Sequence, residues 1–301
     1  MHACRAFLLF SMAACASTGR SARSDSDNES AQIRGTLFIV GGGYQSPELV
    51  RQFVALAGGP GKARIAILPM ATEDAVATGA EKKTQLDSLG ADAFVVNITR
   101  AQADDDSIVS KLANATGIWF PGGDQTPLAA ALRGSAALRA IHDRYRAGAV
   151  VGGTSAGAAV MSDSMITGNQ FWPGTAAVDS PSFSRIGRRT IEIAAGLGFL
   201  HTAIVDQHFI RRQRENRLFS VVLERPYLLG VGIDEGTVLE VTPGGKWAVF
   251  GASAVVVLDA RRANVTSQNR APLGATDIRV SVLPAGSTFD PRTGRGTLPP
   301  S

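Results

Sequence analysis

From residue 33 onward the chain alternates short apolar runs with stretches whose apolar residues recur at helical spacing. The runs fall at residues 36–40, 64–68, 93–96, 117–120 and 149–152, each bounded by Gly, Pro or polar turn residues. Short runs with no polar alternation predict strands buried on both faces. Between them, residues 47–57, 75–89, 105–113, 126–132 and 135–146 predict helices. The first opens on Pro47, where a missing N–H removes no helical hydrogen bond. This alternation predicts an α/β fold, a three-layer sandwich with a mostly parallel central sheet and helices on both faces.

The pattern changes after residue 228. Residues 228–233, 237–241, 246–250 and 254–258 read as short strands separated by turns such as Pro243-Gly244-Gly245. They are expected to extend the same sheet in antiparallel fashion. No Pro- or Ser-rich linker separates the halves, so residues 33–301 are expected to form one domain, loose from about residue 290 where Arg, Gly and Pro accumulate.

The N-terminus has a different grammar. Arg5 precedes an apolar stretch at residues 6–12, followed by Ala13-Ala14-Cys15, the layout of a secretory signal. Met12-Ala13-Ala14-Cys15 resembles a bacterial lipobox, whose cysteine takes the lipid and becomes the new N-terminus; Met12 stands where Leu is usual. Residues 1–15 are therefore read as a lipoprotein-type signal peptide with Cys15 as the lipidation site. Residues 16–32, Ser-rich, polar and charged, are read as a flexible tether. Ala16 lacks the Asp that often retains lipoproteins at the inner membrane. The expected location is thus outside the cytoplasm, on the periplasmic side or the cell surface, as an outer-membrane lipoprotein.

Composition narrows the function classes. Hydrophobic residues make up 45% and charged residues 19%, ordinary for a globular enzyme. The formal net charge of +4 is spread along the chain, with no basic tract of the kind a nucleic-acid binder carries. No apolar run is long enough to span a bilayer. Both cysteines, Cys4 and Cys15, lie in the signal region, so the predicted domain has no disulfide, Cys nucleophile or Cys-ligated metal. Gly41-Gly42-Gly43 follows the first strand but lacks dinucleotide-binding spacing, because Ser46 occupies the last glycine position.

Candidate chemistry sits at strand ends, where open parallel sheets place their sites. The fifth strand runs into Gly153-Thr154-Ser155-Ala156-Gly157, a G-x-S-x-G elbow between a strand and a helix. Such a turn presents a serine nucleophile and aims backbone N–H groups at the reacting centre. A serine needs a base. His142 reads as a surface residue in a helix, and His201 follows a Gly-rich loop. His208 ends the strand at residues 203–206 and is the first candidate, His201 the second. The carboxylate that orients the base is expected in Asp234-Glu235-Gly236, a tight turn between two strands, and spacing does not choose between Asp234 and Glu235.

Together these segments resemble the cyanophycinase family, serine peptidases of family S51 on a class I glutamine-amidotransferase-like fold. The resemblance runs from about residue 36 to 258 and rests on four motifs in order. They are Phe120-Pro121-Gly122-Gly123-Asp124-Gln125, the Ser155 elbow, Asp206-Gln207-His208-Phe209 with trailing arginines, and Gly232-Ile233-Asp234-Glu235. It implies Ser155 as nucleophile, His208 as base and Glu235 as orienting acid. Backbone N–H groups of Gly123, Asp124 and Ala156 would form the oxyanion hole. Gln125, Asp206, Gln207, Arg212, Arg214 and Arg217 would line the substrate pocket, the arginines starting a helix directly after the base and binding carboxylates through paired N–H bonds. The implied substrate is cyanophycin, a poly-aspartate with arginine on each side chain, cleaved to β-aspartyl-arginine dipeptides. No metal, cofactor or nucleic acid is implied. The expected partners are the peptide or polymer substrate, a membrane only through the lipid anchor, and a second copy in a homodimer. Residues 170–190 match no motif. The competing readings are an aspartyl or isoaspartyl dipeptidase of the same family and a non-catalytic binding lipoprotein on the same fold.

Overall fold

The computed structural model describes residues 33–171, 185–266 and 272–300, together with the backbone of 178–179. Cys15 and the signal and tether segments lie outside the described residues.

Five strands form the parallel heart of the fold: β1 (Thr36–Val40), β2 (Arg64–Ile67), β3 (Asp92–Val95), β4 (Gly117–Phe120) and β5 (Val150–Thr154). The helices between them are α1 (Pro47–Leu56), α2 (Ala75–Asp87), α3 (Asp106–Leu112), α4 (Gln125–Leu132) and α5 (Ala136–Ala147). Local sequence sets their ends. Ser46 caps α1 by accepting from the Leu49 N–H at 3.4 Å, with Pro47 next. Ser135 caps α5, and Gly148 at φ 116° closes it in the left-handed conformation that glycine adopts without penalty.

After β5 come the single turn α6 (Ala156–Ala159) and the strands β6 (Ser164–Gln170), β7 (Val178–Asp179), β8 (Ile191–Ala195) and β9 (Ala203–Gln207). Then follow α7 (Glu215–Glu224), β10 (Leu229–Ile233), β11 (Thr237–Val241), β12 (Trp247–Gly251) and β13 (Ala254–Asp259). The last strands are β14 (Asn264–Val265), β15 (Ala275–Thr276), β16 (Arg279–Pro284), β17 (Thr288–Asp290) and β18 (Arg295–Thr297).

The expected α/β class holds, but the C-terminal strands do not all extend one sheet. The main sheet runs β18-β17-β12-β11-β1-β5-β4-β2-β3, parallel from β1 to β3 and antiparallel beyond β11. A second sheet runs β16-β13-β10-β9, with β9 and β10 parallel. The turn from β10 to β11 is therefore a crossing between sheets rather than a hairpin. The chain end also departs from expectation, since β17 and β18 form a hairpin that pairs with β12.

Burial explains the layering. One face of the main sheet packs Phe38 and Val40 against Leu49, Val50 and Phe53 of α1 and Leu86 of α2. On the other face, Leu37, Ile39 and Ile118 share a core with α3 to α6 and with Val205, Val231, Ile233 and Val255 of the second sheet. That sheet thus occupies part of the layer expected to be helical. Its far side is covered by α7 through Leu218, Val221 and Val222.

Candidate active site

The ends of β1, β4, β5, β9 and β10 converge on one site. Ser155 follows β5 with φ 55° and ψ −113°, a conformation L residues rarely hold. Its N–H donates to the Val40 carbonyl at 3.1 Å, which ties the strained turn to β1. His208 follows β9, also in a left-handed conformation at φ 49°, and its N–H donates to the Gly41 carbonyl at 2.6 Å. His208 Nε2 lies 2.9 Å from Ser155 Oγ, and Nδ1 lies 2.6 Å from Glu235 Oε1. Nδ1–H donates to the carboxylate, which fixes the tautomer and leaves Nε2 to accept from the serine hydroxyl. Burial holds the imidazole below its ordinary value and outweighs Glu235, while the nearby Arg212 charge pushes the same way as burial. A neutral imidazole in contact with a serine can act as a general base.

The structure separates Asp234 from Glu235. Asp234 turns away and accepts from the Arg211 N–H at 2.9 Å and from Ser253 Oγ at 2.8 Å. His201 lies exposed, 2.8 Å from Asp163. His142 is half-buried rather than on the surface: it stacks on Phe199 at 4.2 Å and its Nε2 meets the Leu197 carbonyl at 2.8 Å.

Gly41-Gly42-Gly43 is a wall of this site, a role that sequence reasoning missed when it weighed the segment only as a phosphate loop. A Cβ on Gly42 would collide with the His208 ring, and one on Gly43 would stand 2.8 Å from Glu235 Cβ. The Gly42 carbonyl also accepts from the Gly236 N–H at 2.9 Å, fixing the turn that carries Glu235. The available signal was a glycine run at the end of a strand adjacent to the nucleophile strand.

The loop after β4 supplies the opposite wall. A Cβ on Gly122 would come 3.3 Å from Ser155 Cβ, so the loop lies against the serine. Gly123 has φ 127°, and a Cβ there would collide with the Ala71 carbonyl. That carbonyl accepts the Asp124 N–H at 2.7 Å, and the Asp124 carboxylate caps α4 by accepting from Thr126 N–H at 2.8 Å. Asp124 is therefore corrected as an oxyanion donor, because its N–H is already engaged. Ala156 opens α6, where an N–H has no intrahelical acceptor.

Most of the expected pocket side chains bind each other. Asp206 is fully buried and grips the guanidinium of Arg217 in a two-pronged ion pair, with Arg217 Nε 2.6 Å from Oδ2. Arg214 Nη1 donates to the Gln207 carbonyl at 2.7 Å and to Gln207 Oε1 at 2.6 Å. Arg217 and Arg214 are therefore corrected as direct readers of substrate carboxylates, and Asp206 as a pocket-lining group. Their polar groups are turned inward, and they brace the strand end that carries His208. The helix also begins later than expected, at Glu215, after a turn at residues 208–213. Arg212 is exposed beside His208. Gln125 is buried at the start of α4, and its amide nitrogen donates to the Ile166 carbonyl at 2.8 Å and to that of Thr167.

Comparison with known proteins matches the chain to one family. The model for peptidase family S51 matches residues 37–247. The chain belongs to that family. The cyanophycinase of Geminocystis herdmanii is 31% identical over 271 residues, covering 87% of this chain and 95% of its own. That of a Nostoc species is 31% identical over 269 residues, covering 86% of each chain. Among solved structures, a peptidase from an acI-B1 Actinobacterium superposes with a TM-score of 0.61 at 22% identity, over 83% of this chain and 98% of that one, a likeness of fold. The S51 chain is accordingly a serine-type peptidase.

Proposed function

We propose that this S51 peptidase hydrolyses cyanophycin, releasing β-aspartyl-arginine, with Ser155, His208 and Glu235 as its catalytic triad. The contact between Ser155 Oγ and His208 Nε2 at 2.9 Å carries the reading. Ser155 Oγ attacks the scissile carbonyl carbon while His208 Nε2 takes its proton, and Glu235 stabilises the imidazolium that forms. The N–H groups of Gly123 and Ala156 receive the developing oxyanion. His208 then protonates the leaving amine, and water activated by the same residue hydrolyses the acyl-enzyme. The cyanophycinase relatives support the choice of polymer.

The test is to incubate the purified protein with cyanophycin and identify the products by mass spectrometry. The expected product is β-aspartyl-arginine. Ser155→Ala and His208→Ala should each lower turnover by several orders of magnitude, with the double variant little worse, because the two groups act as a unit. Glu235→Gln should cost less than either. A wild type that ignores cyanophycin but cleaves short aspartyl or isoaspartyl peptides would replace the substrate and keep the triad.

A further inference from the structure

A second feature of the site bears on substrate choice. β6 and β8 pair as an antiparallel ribbon beside the loop that lies against Ser155. The connection is short. Gln125 directly follows Asp124, and its amide binds the carbonyls of Ile166 and Thr167 on β6. Thr167 Oγ1 in turn donates to Glu192 Oε2 on β8 at 2.7 Å, and Asn169 Nδ2 donates to the same oxygen at 2.7 Å. Two neutral donors thus fix one oxygen of a half-buried carboxylate. Among the described residues no cation lies within ion-pairing distance of Glu192.

A carboxylate drawn partly out of water loses hydration, and neutral donors replace only part of it. A guanidinium would complete it. The other carboxylates near the site, among the described residues, differ from it. Asp206 is paired with Arg217, Glu235 faces His208, Asp234 has one oxygen on Arg211 N–H and the other on Ser253 Oγ, and Asp124, which caps α4, is exposed to water.

We propose that Glu192, held by Thr167 and Asn169, is a specificity subsite for a guanidinium side chain of the substrate. The subsite rests on the proposed function in taking an arginine-bearing aspartyl substrate. Binding would align the guanidinium with the carboxylate and draw the substrate toward the ribbon that Gln125 ties to the Gly122–Gly123 loop.

The experiment compares aspartyl oligomers bearing arginine with the same oligomers bearing citrulline, which keeps the shape and loses the charge. Wild type should favour arginine by about ten- to a hundredfold in kcat/KM, the value of one charge-assisted hydrogen bond. Glu192→Gln, close in size to the native residue, should collapse that ratio toward one, chiefly through KM, and Glu192→Asp should restore part of it. A Glu192→Gln enzyme that keeps the wild-type ratio overturns the subsite. Calorimetry with β-aspartyl-arginine and β-aspartyl-citrulline on Ser155→Ala, with and without Glu192→Gln, separates this from the choice of polymer. Arginine-selective binding that requires Glu192 upholds the subsite even if cyanophycin is not cleaved. Equal binding of the two ligands removes it even if cyanophycin is cleaved.

Discussion

Ser155 and His208 hold φ angles of 55° and 49°, a cost of roughly 1–3 kcal/mol each for residues with a Cβ. Hydrogen bonds from both N–H groups to the end of β1 help hold that cost in place. The electrostatics of the dyad can be tested residue by residue. Burial disfavours the imidazolium, so the His208 pKa lies below 6.5 and the base stays neutral to lower pH than a free histidine would. The acid limb of kcat/KM should therefore fall below the ordinary histidine range. Arg212 adds positive charge that opposes protonation. Arg212→Ala should move the limb toward higher pH, by an amount that shrinks in high salt because the side chain is exposed. A limb that stays in place or moves down would mean that the Arg212 charge does not act on the base.

Strands β1 to β5 and β9 to β13 were readable as elements because each is a compact apolar run, and their observed boundaries fall within one or two residues of the expected ones, whereas β6 to β8 and β14 to β18, very short or mixed in polarity, were not. Their partners were not readable. β10 and β11 are separated only by Asp234-Glu235-Gly236, which looks like a hairpin turn, yet β10 pairs with β9 and β13 while β11 pairs with β1 and β12. Pairing is decided by the packing of distant faces, which local pattern does not encode. The error matters chemically, because Ser155 follows a strand of the main sheet, His208 follows one of the second sheet, and Glu235 sits on the link between them. The same limit explains the arginines. A charge run suggests a binding face, but only the fold shows that Arg217 enters the protein to meet Asp206. Breaking a buried pair from one side costs about 3–5 kcal/mol. Arg217→Ala should lower the urea midpoint accordingly, and Asp206→Leu combined with Arg217→Met should recover much of the loss. A substrate reader would instead raise KM at unchanged stability, and that outcome would reinstate the pocket role.

At the scale of the whole molecule, the chain end and the chain start make opposite claims. The end is structural. Phe289 of β17 stacks on Trp247 of β12 at 5.3 Å with both rings buried. Phe289→Ala should cost about 3–5 kcal/mol and alter Trp247 fluorescence, whereas a loose tail would register neither. The start concerns location, and we propose that Cys15 carries a lipid. The motivation is the order of basic Arg5, an apolar stretch and Ala13-Ala14-Cys15. All the elements and site residues described above lie at residue 33 or beyond, so the anchor and the catalytic unit should be separable. Mass spectrometry of the native N-terminus should show a modified Cys15. Cys15→Ala should move the protein out of the membrane fraction, while purified domain beginning at residue 33 keeps wild-type kcat on a soluble substrate. An unmodified terminus beyond Cys15 would make the segment an ordinary secretory signal. The outcome decides how the enzyme meets its substrate. An anchored peptidase outside the cytoplasm would act on polymer released by other cells, and its rate on insoluble granules should then depend on the anchor in a way its rate on soluble fragments does not.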